Sequence, residues 1–221
     1  MKFELRINQG EGLDIVLDKA MSGGICFAIT AQWAFLLLKG ISYETEIITC
    51  QTFMKTKREG DVKKMIEGTT NVSVQKGFFT LVSLQRGYDT LDLFLADKMD
   101  AGQQDAFFSK AATFSEKYLA SLCRSEGCKL QSMDLFKTVD EVTDSLSFDD
   151  DSVELIGIFG TETGKNWGHI VGAAKSAKYL FFDANSGLKS GQPNVMASQI
   201  SSYLKSNYQG IQNCVKYTIT K

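Results

Sequence analysis

The sequence predicts an α+β fold, helical in its first part and closed by an antiparallel sheet. Three features carry that expectation. Residues 25–39 are apolar almost all the way round, as in a helix enclosed by a core. Residues 103–126 repeat Ala106, Phe107, Ala111, Phe114, Tyr118 and Leu122 at three- and four-residue steps, the period of an amphipathic helix. The last third changes character: 153–159, 168–174 and 179–183 read as short strands, and their connections suit hairpins.

Taken in order, residues 1–19 alternate weakly (Phe3, Leu5, Ile7) and open with a strand. Met21-Ser22-Gly23-Gly24 is a turn before the apolar helix, and Gly40 is its stop. Residues 41–97 read as mainly helical, and the charged stretch 55–67 as a solvated face rather than a membrane-contact patch, since Glu59, Asp61 and Glu67 interrupt its basic residues. Gly127 caps the amphipathic helix, and 139–146 is a shorter helix before the acidic turn Asp149-Asp150-Asp151. Residues 194–208 read as a helix with Asn194 at its N-cap, and 213–220 alternate as a final strand.

Length and composition narrow the class. At 221 residues, 43% hydrophobic and 23% charged, the chain suits one sizeable core, and a single domain over 1–221 is expected. One Pro against nineteen Gly argues against Pro-rich linkers between domains. A formal net charge of −2 gives no basic excess for nucleic acid. No apolar run reaches the roughly eighteen residues of a membrane span. The first fourteen residues have no apolar signal-peptide core, so export by a general secretory route is not expected. The five cysteines (26, 50, 123, 128, 214) form no CxxC pair and show no zinc-ligand spacing, so neither a metal nor another cofactor is expected. Cys123 and Cys128 read as reduced thiols near a helix end, and Cys50 and Cys214 as structural.

The chemistry begins from scarcity. His169 is the single histidine, so the chain has one side chain that ordinarily titrates near neutrality. Alone, a histidine at a strand start is more often satisfied by backbone than catalytic. Cys26 follows Gly23-Gly24 at the first turn of the buried helix, where unpaired N–H groups favour a thiolate. Alone, it reads equally well as a small packed side chain. Asp183 ends a strand fourteen positions after His169, and by itself reads as a turn residue. A hairpin would bring Asp183 beside His169, where its carboxylate can fix one imidazole tautomer and stabilise the imidazolium. Cys26, His169 and Asp183 thus support one another as nucleophile, base and orienting acid, in the order and separation of papain-like cysteine hydrolases.

Three blocks of sequence resemble the YopT/AvrPphB family of cysteine peptidases. They are Gly24-Ile25-Cys26-Phe27-Ala28-Ile29-Thr30-Ala31-Gln32-Trp33, with its Trp seven residues after the Cys, then Gly168-His169-Ile170-Val171-Gly172, and Phe181-Phe182-Asp183-Ala184-Asn185-Ser186-Gly187. They cover roughly residues 22–39 and 167–188; residues 41–150 are not assigned by the resemblance, read as mostly helical, and whether they form an insertion that selects the partner is left open. The resemblance implies a papain-like fold, a protein substrate such as a host small GTPase or kinase, and delivery of a bacterial effector into host cells by specialised secretion; otherwise the chain is expected in the cytoplasm. Membrane contact would come only through the substrate, and oligomeric state is left open. Distant relatives imply an alternative, an acyltransferase passing a fatty acyl group to lysine. A catalytically inactive binding module is the third reading. Where papain has its oxyanion-hole Gln, six residues before the nucleophile, this chain has Ala20. The Cys26 N–H is a first oxyanion donor, with Ser22 or a backbone N–H of Gly23 or Gly24 as candidates for the second. Trp167 is the aromatic placed at the cleft rim, whereas Trp33, Phe181 and Phe182 read as core.

Overall fold

The computed structural model describes residues 1–6, 26–41, 104–163 and 165–221. Within these, a seven-stranded sheet in the order β1-β6-β5-β4-β3-β7-β2 is antiparallel throughout. The strands are β1 (Lys2–Arg6), β2 (Lys129–Phe136), β3 (Ser152–Glu162), β4 (Lys165–Lys175), β5 (Tyr179–Asp183), β6 (Gly187–Gly191) and β7 (Ile211–Thr220). The helices are α1 (Cys26–Leu38), α2 (Gln104–Ser125), α3 (Val139–Asp144) and α4 (Met196–Asn207).

Two apolar clusters occupy the two faces of this sheet. One gathers α1 and α2 with Val153, Leu155, Ile170, Ala174, Phe182, Val215 and Tyr217. The other gathers α3 and α4 with Ile156, Ile158, Val171, Ala173, Phe181 and Cys214. Successive residues of β3, β4 and β5 therefore alternate between the two clusters, as the two-residue period of a strand requires. Cover on both faces explains why β3 and β5 read as continuous apolar runs rather than as alternating ones.

Helix α1 is set on the sheet by one face. Cys26, Thr30 and Trp33 recur at helical spacing. Thr30 Oγ1 donates to the Ile170 carbonyl at 3.3 Å. Trp33, fully buried, stacks on Phe182 with ring centroids 5.2 Å apart and planes 10° apart. Its ring passes so close to β4 that a Cβ on Gly172 would stand 2.2 Å from it. The glycine thus fixes how near the helix lies to the strand.

Several expectations are revised. The expected order of helices before sheet gives way to an interleaved one, because β1 pairs with β6 and β2 with β7. Strand β2 falls in the stretch expected to be mostly helical, and β6 was not expected; both are short and partly polar, so neither shows the apolar run that marks β3. The buried stripe of α2 runs through Phe108, Ala112, Leu119 and Cys123, while Tyr118 and Leu122 sit at its edge, Tyr118 against the Phe27 ring at 5.8 Å. Helix α4 begins later than expected: Pro193–Val195 form a 3-10 turn, Val195 occupies the N-cap and Asn194 caps nothing. Gly40 and Gly127 do end their helices, with φ of +69° and +74°. The readings for residues 41–97 and the charged stretch 55–67 lie outside the described residues, apart from the exposed Ile41.

Candidate active site

The pairing of β4 with β5 runs from Lys175↔Tyr179 to Val171↔Asp183 and stops there. His169 lies two residues beyond the last pair, on the same face of the sheet as Val171. Its imidazole Nε2 is 2.9 Å from Asp183 Oδ1. From the other layer, the first turn of α1 arrives at this end of β4, held by the Thr30 bond to Ile170. The Cys26 side chain lies near enough to the imidazole to raise its pKa. With Nε2 on Asp183, Nδ1 is the ring nitrogen left for the thiol. The structure therefore brings together all three residues singled out in the sequence.

Asp183 is shaped by the turn it opens. The Ser186 N–H donates to the Asp183 carbonyl at 3.0 Å and the Asn185 N–H to Asp183 Oδ1 at 2.8 Å. Gly187, with φ of +106°, releases the chain into β6. On the far oxygen, Oδ2, the hydroxyl of Tyr203 donates at 2.6 Å, that of Tyr208 at 2.9 Å and that of Ser186 at 3.4 Å. Tyr208 also lies flat on the imidazole, with centroids 4.8 Å and planes 22° apart. Asn185 Nδ2 donates to its hydroxyl at 3.1 Å.

The site is largely buried: Asp183 is fully buried, and Cys26 and His169 are 7% and 8% exposed. Burial by itself would lower the His169 pKa. The hydrogen bond to Asp183, the nearby Cys26 side chain and the negative charge on both outweigh it and raise the value to about 9. Burial by itself would raise the Asp183 pKa. The bond and charge of His169, the Tyr203 hydroxyl and the Asn185 N–H bring it down to about 2. The resting arrangement is thus a carboxylate beside an imidazole that holds its proton well above neutrality. Burial and the Asp183 charge push both tyrosines above their ordinary range, so they stay hydroxyl donors. Lys189, mostly buried, is pulled down to about 8 by burial, against the opposing charge of Asp183.

Trp167 is half-buried beside Tyr208, at 6.1 Å between rings, one residue from the exposed Gly168. Trp33, Phe181 and Phe182 are core. Cys123, Cys128 and Cys214 are buried free thiols, and burial pushes Cys123 and Cys214 up to about 12. Cys50, Ala20 and the oxyanion candidates Ser22, Gly23 and Gly24 lie outside the described residues. Sequence reasoning missed Tyr203 and Tyr208. Their approach to Asp183 depends on how α4 crosses the sheet, which no local pattern encodes.

The fold and this cluster define a mixed domain, an antiparallel sheet between helical layers with a buried Cys–His–Asp constellation at one end. No protein-family model matches the chain, and no curated protein matches it. Among solved structures it is similar to the crystal structure of the Pseudomonas avirulence protein AvrPphB. The two share 10% identity over 94% of this chain and 98% of the other, with a TM-score of 0.53. At that identity the likeness is one of fold.

Proposed function

We propose that this chain is a papain-like cysteine peptidase acting on a protein. The observation that carries the reading is the imidazole of His169 bonded to the Asp183 carboxylate at 2.9 Å, with the Cys26 thiol near enough to raise its pKa. In this reading Cys26 is the nucleophile. His169 takes its proton through Nδ1 and returns it to the leaving amine, while Asp183 holds the Nε2–H tautomer. The acyl group is carried as a Cys26 thioester, and water, deprotonated by His169, releases it as a carboxylic acid. The fold shared with AvrPphB and the three motif blocks support the papain-like assignment. A host protein as substrate, a small GTPase or kinase among the candidates, and delivery by specialised secretion rest on the motif resemblance alone.

The test is cleavage of a peptide library and of host-cell extract by the wild-type chain and by Cys26→Ala, read by mass spectrometry of new termini. New termini made by the wild type and absent with a folded Cys26→Ala variant support the reading. Cleavage that survives the substitution, or no cleavage by either, sinks it. Transfer of acyl label from an acyl-CoA to lysine would move the same nucleophile to the acyltransferase class.

A further inference from the structure

A carboxylate with no exposure must find donors for its lone pairs inside the protein. Asp183 has two groups of them. Oδ1 takes His169 Nε2 and the Asn185 N–H, both contributed by the β4–β5–β6 strands and their turn. Oδ2 takes the hydroxyls of Tyr203, on the last turns of α4, and Tyr208, at its C-cap. Ser186 is the weaker third partner there. The strand turn and the helix thus grip opposite oxygens, so rotation of the carboxylate about Cβ–Cγ would break bonds at both ends.

We propose that Tyr203 and Tyr208 are positioning residues for the Cys26–His169–Asp183 site, their two hydroxyls holding Oδ2 so that Oδ1 stays aimed at His169; its consequence for turnover rests on the peptidase reading, its geometry does not. Each tyrosine is itself held. Tyr203 lies under Lys189 Nζ, 3.9 Å from the ring centroid, and its hydroxyl is 2.8 Å from Ser186 Oγ, which Lys189 also hydrogen-bonds. The Tyr208 N–H donates to the Leu204 carbonyl at 2.9 Å, which seats the residue at the helix end. Its ring covers the imidazole while its hydroxyl reaches the carboxylate, so one side chain spans both partners. Among the described residues, the charged and titratable groups facing this pair are Cys26 from α1, Lys189 from β6 and the two tyrosines from α4 and its cap.

His169 is the single histidine, so its imidazole nitrogens can be read directly by nuclear magnetic resonance in the 15N-labelled full chain. Tyr203→Phe, Tyr208→Phe and the double variant keep every ring and remove only hydroxyls. The wild type should show the Nε2–H tautomer above its titration midpoint. The double variant should show a mixture of tautomers and a midpoint lower by about one pH unit, a tenfold change in the ionisation constant. A folded double variant with the tautomer unchanged and the midpoint unchanged or raised would overturn the proposal. Should the double variant fail to fold, the single variants decide: a partial shift in each supports it, and two wild-type titrations refute it. The spectra need no substrate. Absent peptidase activity with the predicted spectra would therefore remove the proposed function and leave the positioning role standing.

Discussion

Replacing Gly172 by Ala tests whether the distance between helix and strand sets the site. The added Cβ would stand 2.2 Å from the Trp33 ring, where ordinary van der Waals contact begins near 3.4 Å. Restoring contact therefore needs a shift of about 1.2 Å, the difference between those distances. The ring has no room to yield, being fully buried and stacked on Phe182. The movement falls on α1 or β4, and these elements carry Cys26 and His169. Overpacking of this kind costs about 1–3 kcal/mol. In a chain of this size that corresponds to a fall in melting temperature of roughly 2–12 °C. A displacement near 1 Å between thiol and imidazole should slow alkylation of Cys26 on the order of tenfold or more. Thermal unfolding and iodoacetamide labelling at pH 6 read the two effects. Trp33→Phe removes the ring portion that the Cβ strikes, so Gly172→Ala in that background should cost less than in the wild type. An unchanged melting temperature and labelling rate in Gly172→Ala, or strictly additive costs in the double variant, would refute the coupling.

Other outcomes follow from the buried pair. Asp183→Ala leaves His169, Asn185, Tyr203 and Tyr208 without their shared acceptor, and should destabilise the chain by about 3–5 kcal/mol in denaturant unfolding; Asp183→Asn, which keeps an acceptor oxygen, should lose less. Stability should also follow pH through the same groups. The raised His169 pKa contributes stability that is full below about 6.5 and is lost as pH rises through about 9, so urea midpoints should fall between pH 6.5 and 9.5 in the wild type and fall less in His169→Ala. The lowered Asp183 pKa contributes stability that is present above its ordinary value of 3.8 and is lost as pH falls toward about 2, a loss that Asp183→Asn should not show.

The parts of the fold legible in the sequence are those set by local pattern. Helix α1 is apolar all round because its neighbours enclose it, and its extent matches the reading to within a residue. β3, β4 and β5 are apolar because helices cover both faces of the sheet. The fourteen-residue spacing of His169 and Asp183 foretold their contact because a hairpin fixes which residues face each other. What stayed hidden is non-local. The opening strand was legible, but its pairing with β6 across most of the chain was not. Tyr203 and Tyr208 belong to the site through the crossing of α4 over the sheet, and a polar tyrosine at a helix end carries no mark of that. Gly172 looked like an ordinary strand glycine; only the Trp33 ring packed against it gives it a reason.

The rate of alkylation of Cys26 at pH 6, followed by peptide mass spectrometry to separate it from the other four cysteines, tests the Cys26–His169 couple most directly. An ordinary thiol is only about 0.3% ionised there. A thiolate held by the His169 imidazolium should label at least about tenfold faster than Cys26 in His169→Ala, even allowing for the lower intrinsic nucleophilicity of a stabilised thiolate. Fast labelling below pH 7 that collapses in His169→Ala is the predicted result. Slow labelling at pH 6 that is the same in both proteins would mean that the three residues touch without acting together.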